Sequence, residues 1–207
     1  MRLQLPGVRP LDATRDGTDG NAVVVACPPH PQLGGDRTDA RLRAVSDALA
    51  THIDCLRFDY GTWDGGNGEQ TDVRTALSWA TEEYETVGLF GYSFGAAVAL
   101  AALAPDAVGE HPLSESTLSL APPQSVAVLA PAADIHNKRV LAGIDAARNL
   151  LVVYGERDET VDAASVVARA SERGHTVEAV AGDHFFVGQR VRIGRRIAAF
   201  FAETLWS

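Results

Sequence analysis

An apolar run, Val87-Gly88-Leu89-Phe90, leads into Gly91-Tyr92-Ser93-Phe94-Gly95 and then into an alanine-rich stretch from Ala96 to Leu103. The order reads strand, sharp turn, helix, with a serine at the apex. A Gly-x-Ser-x-Gly turn holds its serine in a strained backbone conformation, and the flanking glycines let strand and helix approach without Cβ clashes. The hydroxyl is thereby pushed outward. Five residues match such a pattern by chance often enough that the context matters more than the letters, and here the strand before and the helix after supply it.

The rest of the chain repeats that alternation. Short apolar runs at Val23–Ala26, Ile53–Tyr60, Val126–Ala130, Leu150–Tyr154 and Thr176–Val180 read as strands. Helix-length segments fit near Thr38–Thr51, Glu69–Glu83, Ala163–Glu172 and Val187–Thr204, the second carrying Val73, Ala76, Leu77 and Ala80 at helical spacing. This predicts an α/β domain with a mostly parallel sheet and helices on both faces. The residues up to Gly20 predict a hairpin or edge strands. Residues 105–123, polar and rich in serine, predict a surface excursion too short for a lid domain.

With 207 residues and 46% hydrophobic content, the chain reads as one domain over residues 1–207. Neither a signal-peptide pattern at the start nor an apolar run near the ~18 residues of a membrane span is present in the sequence, so a cytoplasmic protein without membrane contact is expected. The formal charge of −9 argues against nucleic acid and anionic membranes as partners. Lys138 is the only lysine, and the arginines at 190, 192, 195 and 196 read as a solvated helix face. Cys27 and Cys55 lie in strand-like runs, where a buried thiol acts as a small hydrophobe. No His/Cys/carboxylate cluster has metal-ligand spacing, and the loop Gly65–Gly68 lacks the ending of a phosphate loop, so neither a metal nor a cofactor is expected. Nothing in the sequence specifies an oligomeric state.

A serine hydroxyl is a poor nucleophile near neutral pH and needs a base in reach and an acid to orient that base. After a strand-turn-helix serine the chain order is acid, then histidine, on loops at the carboxyl ends of strands. Asp158 follows the run Leu150–Tyr154, with Asp134 and Asp183 as rivals; a helix N-cap is the competing role for Asp158, although Asp162 is better placed for that. His184 sits after the last strand in Gly182-Asp183-His184-Phe185-Phe186, whereas His111, His136 and His175 fit the order poorly. Donors for an oxyanion are expected from the backbone N–H of Phe94 and from the loop after Val23–Ala26, where Pro31 has none to give. Gln32 is the first choice there, with Leu33 behind it.

These segments together resemble the α/β-hydrolase superfamily, and within it the small lidless branch near the dienelactone hydrolases. The resemblance is carried by His30-Pro31-Gln32-Leu33-Gly34-Gly35, Arg57-Phe58-Asp59-Tyr60, Gly91 to Gly95 and Asp183 to Phe186, in that order. It implies Ser93, Asp158 and His184 as nucleophile, acid and base. A dienelactone hydrolase proper has a cysteine nucleophile, so the serine here departs from it, as does Asp59-Tyr60-Gly61-Thr62-Trp63 where relatives carry Arg-Gly-x-Gly.

The leading expectation is a serine esterase acting on a small-molecule acyl ester, with Tyr60, Trp63, Tyr92 and Phe94 as candidate pocket walls. A thioesterase or peptidase using the same triad is the enzymatic alternative. A binding module on a hydrolase scaffold is the non-enzymatic one.

Overall fold

The computed structural model describes residues 1–7, 9–17, 19–49, 52–105, 121–133 and 137–206. Eight strands form one sheet in the order β1-β2-β4-β3-β5-β6-β7-β8. They are β1 (Arg2–Leu5), β2 (Leu11–Asp16), β3 (Ala22–Cys27), β4 (Ile53–Phe58), β5 (Thr86–Tyr92), β6 (Ser125–Leu129), β7 (Leu150–Gly155) and β8 (Thr176–Val180). β1 and β2 are an antiparallel hairpin, and β2 pairs antiparallel with β4. The remaining pairs are parallel.

Six helices alternate with the strands: α1 (Ala40–Ala48), α2 (Asn67–Glu83), α3 (Phe94–Leu103), α4 (Asn137–Ala146), α5 (Ala164–Glu172) and α6 (Arg190–Thr204). Strand side chains alternate between two cores, which is why the central strands are apolar throughout. From β3, Val23, Val25 and Cys27 pack with α2, α3, α4 and α5, whereas Ala22, Val24 and Ala26 pack with α1 and α6. α3 is buried along its length, so its alanines and leucines face sheet and helices alike. Both cysteines are buried free thiols, and burial pushes their acidity far from thiolate range, Cys55 to about 12.

Helix boundaries differ from the sequence reading in three places, the first being α1, which is shorter than the expected Thr38–Thr51 because Asp39 caps its start and Leu49 is extended. α2 begins at Asn67 because the Glu69 carboxylate accepts N–H groups from Asp64 (3.0 Å) and Gly66 (2.8 Å), capping the first turn from within. α6 begins only at Arg190, because Phe186 (φ 49°) and Gly188 (φ 76°) are left-handed and keep the preceding residues in turns. Helix α4 has no counterpart in the sequence reading; Val140 and Ile144 bury its inner face, while Gly143 lies so close to α3 that a Cβ there would stand 1.8 Å from the Leu100 carbonyl. Of the expected excursion over residues 105–123, residues 106–120 lie outside those described. No helix among the described residues is long and apolar enough to cross a membrane.

Candidate active site

The Gly-x-Ser-x-Gly segment forms a sharp turn from β5 into α3. Ser93 has φ 57° and ψ −120°, a conformation that costs a residue with a Cβ on the order of 1–3 kcal/mol. Its neighbours explain the glycines. A Cβ on Gly91 would lie 2.4 Å from the Gly95 carbonyl, and one on Gly95 would lie 2.3 Å from the Pro28 carbonyl. The turn closes only because both are absent, and the Ser93 N–H is held by the Leu129 carbonyl at 2.9 Å.

Two further loops meet the serine. His184 Nε2 lies 2.9 Å from Ser93 Oγ, and His184 Nδ1 lies 2.7 Å from Asp158 Oδ2. An ionised carboxylate only accepts, so Nδ1 carries the proton and Nε2 accepts from the serine hydroxyl. His184 is 5% exposed and the Asp158 side chain 7%, which places the pair in a poorly solvated environment.

The supports of this chain are local. The other oxygen of Asp158 accepts the N–H groups of Thr160 (2.9 Å) and Val161 (3.1 Å), shaping the loop after β7. The Arg157 N–H reaches the Gly182 carbonyl at 3.0 Å and ties that loop to the histidine loop. The His184 carbonyl accepts the Tyr92 hydroxyl at 3.0 Å, and the ring of Phe185 meets the imidazole edge-on at 5.4 Å. Asp183 turns away from the imidazole and takes the Phe185 and Phe186 N–H groups, both at 3.0 Å. Asp162, not Asp158, serves the first turn of α5 through Ala164 N–H at 2.8 Å. His175 contacts the Ile144 carbonyl at 3.2 Å. Asp134, His111 and His136 lie outside the described residues.

The Phe94 N–H stands at the first helical position, where no intrahelical acceptor exists, and no described residue accepts it. In the loop after β3, Pro31–Leu33 form a single 3-10 turn. Leu33, Gly34 and Gly35 N–H groups are committed to the carbonyls of His30, Pro31 and His30. Gln32 N–H is not tied to a backbone carbonyl and makes only a long contact, 3.3 Å, to His30 Nδ1.

The aromatic residues divide. Tyr60 and Trp63 stand on one side of the elbow with Phe94, at ring distances of 5.7 and 5.5 Å. Tyr92 belongs to the opposite core: it is buried, its ring lies under the Arg41 guanidinium at 4.5 Å and beside the imidazole at 5.4 Å, and burial raises its hydroxyl well above the usual phenol range. A side chain in that position supports the histidine loop rather than lining an open cleft. One residue quoted from sequence only as part of a motif, with no role of its own, is His30: it packs between Trp63 (4.5 Å) and Phe94 (4.8 Å) while its ring nitrogen meets Gln32 N–H. It precedes the serine and so falls outside a search for a downstream base; its place at the start of the proline-rich loop is the signal available.

No protein-family model matches the chain, and no curated protein does. Solved structures do match over nearly the whole length. A lidless α/β serine hydrolase from Xanthomonas campestris is similar at a TM-score of 0.76 and 24% identity, covering 98% of this chain and 94% of that one. An esterase from Pyrococcus furiosus is similar at a TM-score of 0.76 and 14% identity, covering 99% and 92%. Est1E from Butyrivibrio proteoclasticus, solved with ferulic acid bound, is similar at a TM-score of 0.78 and 15% identity, covering 99% and 100%. At such identities the likeness is one of fold. The chain has the α/β-hydrolase fold, with no lid domain among the described residues.

Proposed function

We propose that this chain is a serine hydrolase, a carboxylesterase that cleaves small acyl esters through an acyl-enzyme. The observation that carries the reading is the continuous hydrogen-bonded chain from Ser93 Oγ through His184 to Asp158 Oδ2, with the serine held at the apex of a strained turn. The solved structures of similar fold support it, since two of those compared are described as a serine hydrolase and an esterase.

In the first step Ser93 Oγ attacks the ester carbonyl while His184 Nε2 takes its proton. The imidazolium is stabilised by Asp158, and the oxyanion by the N–H groups of Phe94 and Gln32. Collapse breaks the ester bond, and His184 returns the proton to the departing alcohol. Water, deprotonated by the same nitrogen, then releases the acid and restores the serine. Tyr60 and Trp63 form the pocket wall beside the elbow. Every group in this scheme is a side chain or backbone amide, so the reaction calls for neither metal nor cofactor.

A fluorophosphonate probe tests the reading. Labelling of the folded protein is expected, and its loss in Ser93→Ala; equal labelling of both would overturn the assignment of the nucleophile. Turnover of p-nitrophenyl esters graded by chain length then defines the acyl group. If Asp158→Asn kept full turnover while Asp134→Asn abolished it, the acid would be Asp134.

A further inference from the structure

Between α1 and α6 runs an open groove of about 400 Å³, outside the chemistry described above. Alanines of α1 and Val191 supply its apolar lining, and Arg43, Arg190 and Arg195 its charge; Asp47 is the one carboxylate in the lining. Roughly 300–1,000 Å³ is the range in which small-molecule sites fall.

Several arginines elsewhere in the molecule are neutralised, whereas Arg157 meets only the Ala181 carbonyl, Arg192 only Gln189, and Arg2 and Arg148 have no ion pair to a described residue. Arg37 pairs with Asp59, Arg57 with Asp16, Arg169 and Arg173 with Asp145, and Arg196 with Glu178. The side chains of Arg43, Arg190 and Arg195 likewise make no hydrogen bond or ion pair to any described residue, but these three line one groove. In a chain of formal charge −9, carboxylates are abundant, yet three cations converge here against the single carboxylate of Asp47. Guanidinium groups gathered around a concavity repel one another and fit the geometry of a phosphate oxyanion. The first residue of α6 is Arg190, so the partial positive charge of that helix start adds to the field, whereas the start of α1 is already capped by the Asp39 carboxylate.

Two loops of the proposed site lead into the groove. The histidine loop runs directly into Arg190, and even fully extended the chain from His184 to Arg190 spans at most about 20 Å. The oxyanion loop likewise runs on to Thr38, which lines the groove. On these two loops Leu33 is 85% exposed, Phe185 52% and Val187 74%, apolar surface left in water beside the reacting groups. A ligand lying from Ser93 to the arginines would cover it.

We propose that the α1–α6 groove holds the phosphate-bearing leaving group of the substrate, so that the ester or thioester cleaved at Ser93 is one whose alcohol or thiol carries phosphate. The proposal rests on the serine-hydrolase reading for turnover, but not for binding in the groove. The acyl carbon to oxygen or sulfur bond breaks, His184 gives its proton to the alkoxide or thiolate, and the phosphates stay seated until that product leaves; water then hydrolyses the acyl-serine.

The experiment compares butyryl-coenzyme A with the butyryl thioester of N-acetylcysteamine, which has the same acyl group and no phosphate. A KM lower for the coenzyme A thioester by about tenfold or more is expected, together with loss of that preference in Arg43→Gln/Arg190→Gln/Arg195→Gln at unchanged turnover of the neutral thioester. Equal KM values in the wild type, or a preference that survives the triple substitution, would overturn the proposal. Should neither thioester nor a p-nitrophenyl ester be turned over, the serine-hydrolase reading fails separately, and calorimetry with free coenzyme A decides the groove. Binding by the wild type that the triple variant lacks upholds it as a phosphate site; absence of binding, or binding that both share, removes it.

Discussion

The two sides of Ser93 are held to very different degrees. On the histidine side every polar atom of the Asp158 carboxylate is engaged, the His184 carbonyl is tied to Tyr92, and the loops after β7 and β8 are bonded to each other. On the other side the loop after β3 is exposed at its tip, and the Gln32 N–H has only a long contact to His30. Under the proposed mechanism, the difference is between a base whose orientation is fixed on folding and an oxyanion donor that would become fully engaged only when a substrate carbonyl arrives. Preorganisation is therefore concentrated where a tautomer must be chosen, and slack is left where the ligand enters.

The sharpest way to break this contrast is to remove the base. His184→Ala is expected to lower kcat by about 10⁴-fold or more, and Asp158→Asn by a factor on the order of 10⁴, because the amide leaves the imidazole in the wrong tautomer. Both are read by kcat on a p-nitrophenyl ester; an Asp158→Asn enzyme within tenfold of wild type would mean that the rigid side is not catalytic. Next comes the looser side. Gln32→Pro deletes the N–H and should cost roughly 10²–10³ in kcat, whereas Gln32→Ala keeps the amide and should stay within about threefold. Equal losses in the two variants would assign the effect to the side chain instead.

A smaller effect is expected from Tyr92→Phe, which removes only the hydroxyl that holds the histidine loop. The net worth of such a bond is about 1 kcal/mol, so kcat should fall by a factor of about three to ten with KM little changed, and Tm should fall slightly. A KM rise at constant kcat would place Tyr92 in the substrate pocket after all.

The smallest effect lies away from the serine. Asp72 is buried, with one oxygen on Gly61 N–H at 2.9 Å and the other 3.2 Å from Arg9 Nε, and burial raises its pKa from 3.8 to about 6. The folded state then binds more protons than the unfolded state between these values, so stability is highest below about pH 4 with respect to this group and declines as pH rises to about 6. The decline should be on the order of 1–3 kcal/mol in urea unfolding and vanish in Asp72→Asn; its persistence there would assign the titration elsewhere.

The sheet is largely legible in the sequence because each central strand is a short apolar run, and runs of that length separated by helix-sized segments leave few arrangements. Ser93, Asp158 and His184 stand out for a related reason, since chain order and strand ends restrict the choice. What is hidden is what depends on direction and distance. α4 escapes notice because Gly143, which lets it approach α3, also interrupts its apolar face. Tyr92 sits next to the serine in sequence, yet strand alternation sends it to the opposite core with Phe90. The three arginines of the groove are visible as letters, but their gathering around one concavity exists only once α1 and α6 are packed together.

The burial of α3 on all sides has a consequence for how such a protein diversifies. The helix that carries Ser93 meets its neighbours through atoms with no room to spare, the Leu100 carbonyl against Gly143 and the turn at Gly91 and Gly95 against backbone. Almost any enlargement there would be passed along the helix axis to Ser93 and displace it. If Ser93 is the nucleophile, changes in what the proposed site accepts are accommodated more readily on the exposed loops carrying Leu33, Phe185 and Val187 than on the helix that carries it.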